Sequence, residues 1–439
     1  MTREKRLYIE TSGCQMNVSD SEKIAARLGE IGYRATTDRQ NADLIILNTC
    51  SVRAKAEEKV YIQLQNLWGR KKRNRRLLLG VGGCVAQQEG ERLLEKVPYL
   101  DFVFGTHTLH LLPQLVQAAE SGSRGVEVGF MDQDARRDLF PVDVTAGGIS
   151  RFVTIMQGCD NFCTYCIVPY VRGREISRRA ADVLAEIGRL VEQGAREVTL
   201  LGQNVNSYGL KSPEEPDFAG LLAQVSALPG IERIRFMTSH PKDISPSLID
   251  CFASNPKLCS HIHLPAQSGC DRLLAAMNRG YTRAEYLAKV QALKAVRPDI
   301  QITGDMIVGF PGETEEEFQE TLSLMAEVRY ADLFSFSYSP RPETAAATFP
   351  NQVSRAVRQE RLERLQALQR DYTRERNRSL VGSRQAVLVE GVSKRGDQLF
   401  GRTAGNRIVN FTGPTDVVGQ MVTVTISEDY QNSLQGELP

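Results

Sequence analysis

The sequence predicts an α/β chain in three parts: an N-terminal parallel α/β sheet domain, a central partial TIM-like (β/α)6 barrel, and a small C-terminal antiparallel β-barrel of OB-like size. Three changes of pattern carry this. Short apolar runs alternate with amphipathic stretches over the first 120 or so residues; six further strand-type runs recur from Arg151 with helical stretches between them; and past Gly382 short alternating strands are split by Gly, Asn and Asp. The expected boundaries are 1–122, a linker over 123–148 containing Gly, Ser, Asp and a lone Pro141, a core over 149–378, and a tail over 379–439.

In the first part, Leu7-Tyr-Ile, Leu44-Ile-Ile-Leu and Leu77-Leu-Leu-Gly-Val read as buried strands, with helices at Ser19 to Ile31, Val52 to Trp68 and roughly Gln87 to Val97. Each run is followed by a cysteine: Gly13-Cys14, Asn48-Thr-Cys50 and Gly83-Cys84. Open parallel sheets bind ligands beyond the carboxyl ends of their strands, so thiols distant in sequence are expected to converge there. Three free cysteines buried in a core are the alternative.

The second part has its six runs at Phe152-Val-Thr-Ile-Met, Glu197-Val-Thr-Leu-Leu, Ile234-Arg-Phe-Met, Ile262-His-Leu, Ile302 to Val308 and Leu333 to Tyr338. Parallel βα units curl toward a barrel whose chemistry sits at the carboxyl ends of its strands. Directly after the first run comes Cys159-Asp-Asn-Phe-Cys163-Thr-Tyr-Cys166. Three thiolates at this spacing hold three irons of a four-iron cluster and leave the fourth iron open for chemistry. A structural zinc site needs a fourth nearby ligand, yet the next histidine is His240 and the next cysteine Cys251. Such a cluster can bind S-adenosylmethionine and, after one-electron reduction, cleave it, which makes the later strand ends candidates for holding it: Gly202, Gln203 and Asn204; Gln267 and Ser268; Asp305 and Gly309. Taken singly, Gly-rich strand ends are also plain turns.

From Ser354 to about Arg378 a charged helix carries many arginines, tempered by Glu360, Glu363, Asp371 and Glu375. The tail reads as about five short strands, and small barrels of this kind bind single-stranded RNA. Lys394, Arg395, Arg402 and Arg407, with the run Arg70 to Arg76, are candidate phosphate contacts. Phe400 or Phe411 is a candidate stacking ring, although core packing suits either.

Lys+Arg (54) and Asp+Glu (53) nearly cancel, so any RNA binding must come from local patches. The nine cysteines are scattered, and the start has no apolar run of signal-peptide length, so reduced thiols in a cytoplasm are expected. No stretch reaches the roughly 18 apolar residues that span a bilayer.

The segment Thr154-Ile-Met-Gln-Gly-Cys159 through Cys166-Ile-Val-Pro169-Tyr-Val-Arg172-Gly-Arg-Glu175 resembles the radical SAM methylthiotransferases. So do Gly13-Cys14-Gln-Met-Asn17, Asn48-Thr-Cys50-Ser-Val-Arg, Gly83-Cys84-Val-Ala-Gln87, Gly202 to Tyr208, Thr238-Ser-His240-Pro-Lys242 and Tyr338-Ser-Pro-Arg341-Pro, with the tail resembling the family's RNA-binding TRAM module. The resemblance implies two 4Fe-4S clusters, one on Cys159, Cys163 and Cys166 that cleaves S-adenosylmethionine, and an auxiliary one on Cys14, Cys50 and Cys84. In the family one S-adenosylmethionine methylates a sulfur at the auxiliary site, and a second yields the radical that allows a C–S bond at an unactivated carbon. The two triads are then expected to face a shared cavity. The wording of the motifs fits best the branch acting on N6-isopentenyladenosine at position 37 of a tRNA anticodon loop; branches acting on threonylcarbamoyl-adenosine or on a ribosomal-protein aspartate share both triads. A non-catalytic iron–sulfur or zinc RNA-binding module is the alternative of another class. Further implied partners are an electron donor such as flavodoxin or ferredoxin, and a monomeric state is expected. Two positions depart from the family's pattern: Cys270 where a small serine is expected, and Glu343 where glycine is usual.

Overall fold

The computed structural model describes residues 4–51, 54–132, 147–393 and 396–439. They fall into two compact units. The first gathers the described residues of Met1–Ala146 with Met156–Phe162 and Cys166–Asp182; the second holds Gly147–Ile155, Cys163–Tyr165 and the described part of Val183–Pro439.

The first unit is a six-stranded sheet of β1 (Lys5–Thr11), β2 (Tyr33–Ala35), β3 (Leu44–Thr49), β4 (Leu78–Gly83), β5 (Phe102–Phe104) and β6 (Gly125–Glu127), in the order β2-β1-β3-β4-β5-β6 and parallel throughout. β3 and β4 are buried at every residue, as their unbroken apolar runs require, and an apolar core lies on each face of the sheet. β2 and β5, three residues each, are too short to stand out as runs. β6 falls inside the stretch read as linker: Val126 pairs with Val103, so the sheet extends to 127. Residues 133–146 and Pro141 lie outside the described residues.

Helices α1 (Gln15–Gly29), α2 (Ala54–Arg73), α3 (Cys84–Glu89), α4 (Glu91–Lys96) and α5 (Leu112–Glu120) connect the strands. α1 starts four residues before Ser19, with Cys14 as its N-cap. The third expected helix is two, broken at Gly90, whose φ of +52° an α-helix does not tolerate. Also in this unit, Met156–Gln157 pairs antiparallel with Ile176–Ser177, and between them lies a short helix, α6 (Val168–Arg172).

In the second unit β7 (Ser150–Thr154), β8 (Glu197–Leu201) and β9 (Arg233–Phe236) form one parallel sheet, and β10 (His261–His263), β11 (Gln301–Val308) and β12 (Asp332–Ser337) another. Ile234 N donates to Lys257 O, Cys259 N to Ile234 O and Ser239 N to His263 O, which joins β9 to the approach and end of β10. The six strands therefore run in chain order as a partial barrel. The tail closes a five-stranded barrel of β13 (Arg384–Val392), β14 (Leu399–Thr403), β15 (Ile408–Thr412), β16 (Met421–Asp429) and β17 (Leu434–Glu437), ordered β13-β14-β15-β17-β16. β15 and β17 pair parallel, the other neighbours antiparallel. Val387, Val389, Val409, Phe411 and Val424 fill its core, so Phe411 packs rather than stacks.

The small barrel meets the amino ends of the partial barrel's strands. Arg233 donates to Ala386 O (2.7 Å), Arg235 to Ala404 O (2.9 Å) and Thr403 O (2.6 Å), and Arg407 to Ala331 O (2.6 Å). Arg235 is neutralised at 3.0 Å by Glu197, both almost fully buried. The arginine-rich helix, Arg355–Ser379, is partly a strut. Arg361 is buried against Glu313 (2.8 Å), Arg358 donates to Tyr338 O (2.5 Å) and Arg364 pairs with Glu315 (2.7 Å), while Arg355, Arg370, Arg374 and Arg378 are exposed.

Candidate active site

Three parallel strands deliver Cys14, Cys50 and Cys84 to one edge of the first unit's sheet. The register sets this: Thr11 lies beside Asn48, and Asn48 and Thr49 lie beside Gly82 and Gly83. Because β1 sits between β2 and β3, the chain leaves β1 on one side and returns on the other; Cys14 and Cys50 flank that switch point, where open sheets have their crevice.

Buried amides fix the turns. Asn17 donates to Asn48 Oδ1 (3.2 Å) and Thr49 O (3.0 Å), while Asn48 donates to Asn17 O (2.8 Å) and Ser21 Oγ (2.8 Å). Gly13 has φ +133°, and a Cβ there would collide with Cys50 Cβ and stand 2.7 Å from Asn17 Oδ1. Gly83 has φ +88°, and a Cβ would run into Thr49 O. Glycine is needed at both places for conformation and for space.

Cys14 lies at the surface; Cys50 and Cys84 are buried. The Cys14 thiol is lowered to about 6, first by its hydrogen bond with Cys50, then by the Arg172 guanidinium and the amides of Asn17 and Met16 at the start of α1. Burial pushes the Cys84 thiol up, opposed by the charge and a hydrogen bond of Arg172. A low-pKa thiol among glycine-cradled turns suits thiolate ligation of iron. Among the described residues no three His, Cys, Asp or Glu side chains gather for a single metal ion.

The Cys159–Cys166 loop follows β7, as expected. In the first unit, Cys159 N donates to Gly173 O (3.2 Å), and Gly158, at φ +85°, has no room for a Cβ against Arg174 O. Asp160 accepts from Arg174 Nε (2.6 Å) and Glu175 N (3.1 Å), and Arg174 lies over the Phe162 ring at 5.3 Å. In the second unit, buried Cys163 accepts from Arg279 Nη1 at 3.4 Å. Arg279, itself buried, also donates to Pro265 O (2.9 Å) and Tyr165 Oη (3.4 Å). Its charge faces a sulfur that carries negative charge as a thiolate.

The other candidates divide. Gly202 and Gln203 follow β8, but Asn204 is a brace: it donates to Asp243 Oδ2 (2.7 Å) and accepts from His240 N (3.1 Å). Asn206 braces the same turn through His240 O (2.8 Å) and N (2.9 Å). Ser268 is fully buried, accepts from Cys270 N (3.2 Å) and lies 3.5 Å from Thr321 Oγ1, so its hydroxyl is committed to the fold. Gln267 adopts φ +73° with its amide donating to Asp305 O, a strained strand end of the kind found at ligand sites. Asp305 is part-exposed, 3.5 Å from His263 Nε2. Gly309 has φ +70°, its N–H donates to Glu313 (2.6 Å), and a Cβ would collide with Arg358. Its glycine therefore answers to the Arg358 strut.

Sequence reasoning gave His240 no role. The ring is buried, Nδ1 accepts from Lys242 N (3.3 Å), and burial together with the charges of Arg279, Lys242 and Lys289 keeps it neutral. The proton then sits on Nε2, a buried donor with no hydrogen-bond partner among the described residues. The signal was present in Thr238-Ser-His240-Pro-Lys242, where Thr238 takes φ +68°.

Cys270 is a buried N-cap with its thiol 3.6 Å from Glu317 Oε1, and burial raises it. Glu343 adopts φ +67°, which explains why glycine is usual there. Of the RNA candidates, Arg402 pairs with Glu390 at 3.2 Å and keeps a third of its side chain exposed. Arg407 is turned inward to Ala331 O and Asp332, which corrects its assignment as a phosphate contact. Lys394 and Arg395 lie outside the described residues. Arg70 and Lys71 are bound to backbone carbonyls and Asp101, which leaves Lys72, Arg73, Arg75 and Arg76 exposed.

Among the described residues no helix is long and apolar enough to cross a membrane. Three family models match: the uncharacterized protein family UPF0004 over residues 6–105, the radical SAM superfamily over 153–325 and the TRAM domain over 378–438. The chain is 68% identical over its whole length, and over 98% of the relative's, to a tRNA-2-methylthio-N(6)-dimethylallyladenosine synthase of Geobacter sulfurreducens. Proteins of the same name from Geobacter metallireducens (67%, 100% of this chain, 99% of the relative) and Geotalea uraniireducens (66%, 100% of both) are also similar. Among solved structures, the radical S-adenosylmethionine methyltransferase TsrM of Kitasatospora setae, with cobalamin and a [4Fe-4S] cluster bound, is similar in fold. Its TM-score is 0.59 at 15% identity, over 78% of this chain and 74% of that one.

Proposed function

The chain belongs to the family of tRNA-2-methylthio-N(6)-dimethylallyladenosine synthases, within the radical SAM superfamily, and from that premise we propose how its own residues divide the work. It is a tRNA methylthiotransferase; dimethylallyl and isopentenyl name the same five-carbon group on the adenosine. A 4Fe-4S cluster and S-adenosylmethionine are its family's cofactors. Our finer reading places that cluster on Cys159, Cys163 and Cys166, and a second on Cys14, Cys50 and Cys84. When bound, the first with S-adenosylmethionine supplies a 5′-deoxyadenosyl radical, and the second supplies the sulfur.

The observation that carries the two-cluster reading is the cradle at the sheet edge. Three thiols follow three adjacent parallel strands, and Gly13 and Gly83 stand where any side chain would fill the space. Arg279 holds Cys163 and the Pro265 turn, and so positions the loop that presents the thiolates. Gly202, Gln203, Gln267, Asp305 and the His240 Nε2 donor are assigned to S-adenosylmethionine. A neutral imidazole N–H in a buried setting orients a carboxylate or a ribose hydroxyl. Lys394, Arg395, Arg402 and the exposed arginines after α2 are assigned to tRNA phosphates. The adenosine has to leave its stack in the anticodon loop to be reached. A low-potential carrier such as flavodoxin or ferredoxin is the assigned reductant of a monomeric, cytoplasmic enzyme.

Mass spectrometry of tRNA nucleosides from cells lacking the gene tests the substrate. N6-isopentenyladenosine is expected to accumulate, and its 2-methylthio derivative to return on complementation with the wild type but not with Cys14→Ala. Failure of isopentenyladenosine to accumulate refutes the assignment.

Gly13→Ala tests the cradle. Placed in a chain whose Cys159, Cys163 and Cys166 are alanine, it is expected to lower iron and sulfide per chain by at least about tenfold, because the added methyl occupies the space beside Cys50. Unchanged loading would mean that the close approach of Gly13 to Cys50 does not define the site.

A further inference from the structure

Arg172 is buried in the first unit, where its guanidinium donates to Asp20 Oδ2 at 2.8 Å and its charge and a hydrogen bond reach the Cys84 thiol; its charge also acts on Cys14. It comes from α6, the short helix beginning two residues after Cys166. Three contacts fix that helix against the strand ends. Thr106 Oγ1 donates to Val171 O (2.6 Å), His107 Nε2 lies 3.0 Å from Arg172 O, and Ile167 and Val171 pack on Cys84. A buried cation is costly unless paired, and here the single carboxylate of Asp20 takes part of its charge while its remaining field falls on thiols.

We propose that Arg172, tempered by Asp20, is a positioning and electrostatic residue that raises the reduction potential of the cluster held by Cys14, Cys50 and Cys84. The inference rests on the two-cluster reading. Reduction adds one electron and one negative charge to the cluster, and a fixed positive charge with an N–H donor at a ligand sulfur stabilises that added charge. Asp20 acts in the opposite sense.

The test uses the full chain with Cys159, Cys163 and Cys166 replaced by alanine, so that only the N-terminal site is loaded, and titrates it with dithionite by electron paramagnetic resonance. Arg172→Gln is expected to lower the ratio of reduced to oxidised cluster at a fixed potential at least tenfold, about 59 mV for one electron. Asp20→Asn is expected to raise it by at least about threefold. Arg172→Lys, which keeps the charge, is expected to fall between the wild type and Arg172→Gln. Shifts under about twofold in both variants, or shifts of the same sign, overturn the proposal. If Arg172→Gln loads no iron, the sign of the Asp20→Asn shift decides. If the parent chain itself loads no iron, the two-cluster reading fails instead.

Discussion

With Cys14, Cys50 and Cys84 replaced together by alanine, methylthiolated tRNA falls at least a thousandfold, about 4 kcal/mol in barrier, while 5′-deoxyadenosine formation from S-adenosylmethionine stays within about threefold of the wild type. The separation follows from where the thiols stand. The three substituted thiols follow β1, β3 and β4 of the first unit's sheet, whereas the thiolates assigned to S-adenosylmethionine cleavage lie in one loop after β7. Liquid chromatography of the anaerobically reconstituted, dithionite-reduced protein reads both products in one reaction. Product formation by the triple variant would remove the N-terminal triad from the chemistry. Loss of deoxyadenosine with full iron at the remaining cluster would mean that the triads do not act separately.

Glu197→Ala destabilises the second unit by about 3–5 kcal/mol. Glu197 is buried at the start of β8, accepts from Ser150 Oγ (2.9 Å) and neutralises Arg235 at 3.0 Å. Arg235 in turn donates to Thr403 O and Ala404 O of the small barrel. Removing the carboxylate leaves a buried guanidinium with carbonyl partners and only the weaker field of Glu390 as counter-charge. Urea unfolding monitored by far-ultraviolet circular dichroism measures the change, and Glu197→Gln, which keeps the shape, is expected to recover part of it. A loss below about 1 kcal/mol would show that water or the carbonyls alone neutralise Arg235.

The fold was largely legible because apolar runs and Gly-rich strand ends are local signals. All six barrel strands and the three long strands of the sheet lie where their runs predict. β2 and β5 carry too few residues to show a pattern, and β6 hides among linker-like Gly and Ser. The cysteines at strand ends were legible for the same local reason. Partners were not. Nothing in Arg172 names Asp20, 152 residues away, as its carboxylate, and Asn204 and Ser268 look like ligand contacts until their hydrogen bonds to Asp243, His240 and Cys270 are seen. Arg407 reads as a surface cation in sequence because an exposed arginine and one that reaches a distant carbonyl share the same local pattern.

The first unit is built from three separate stretches of chain, and the stretch Cys166–Asp182 carries both a cysteine assigned to a cluster and the arginine whose charge reaches Cys84. A piece of chain cut near residue 147 would lack Arg172 and the Met156–Gln157 and Ile176–Ser177 pair, so the first unit is not a contiguous N-terminal segment. The family matches, 6–105 and 153–325, therefore do not coincide with the first unit, which takes in residues 156–162 and 166–182 of the second match.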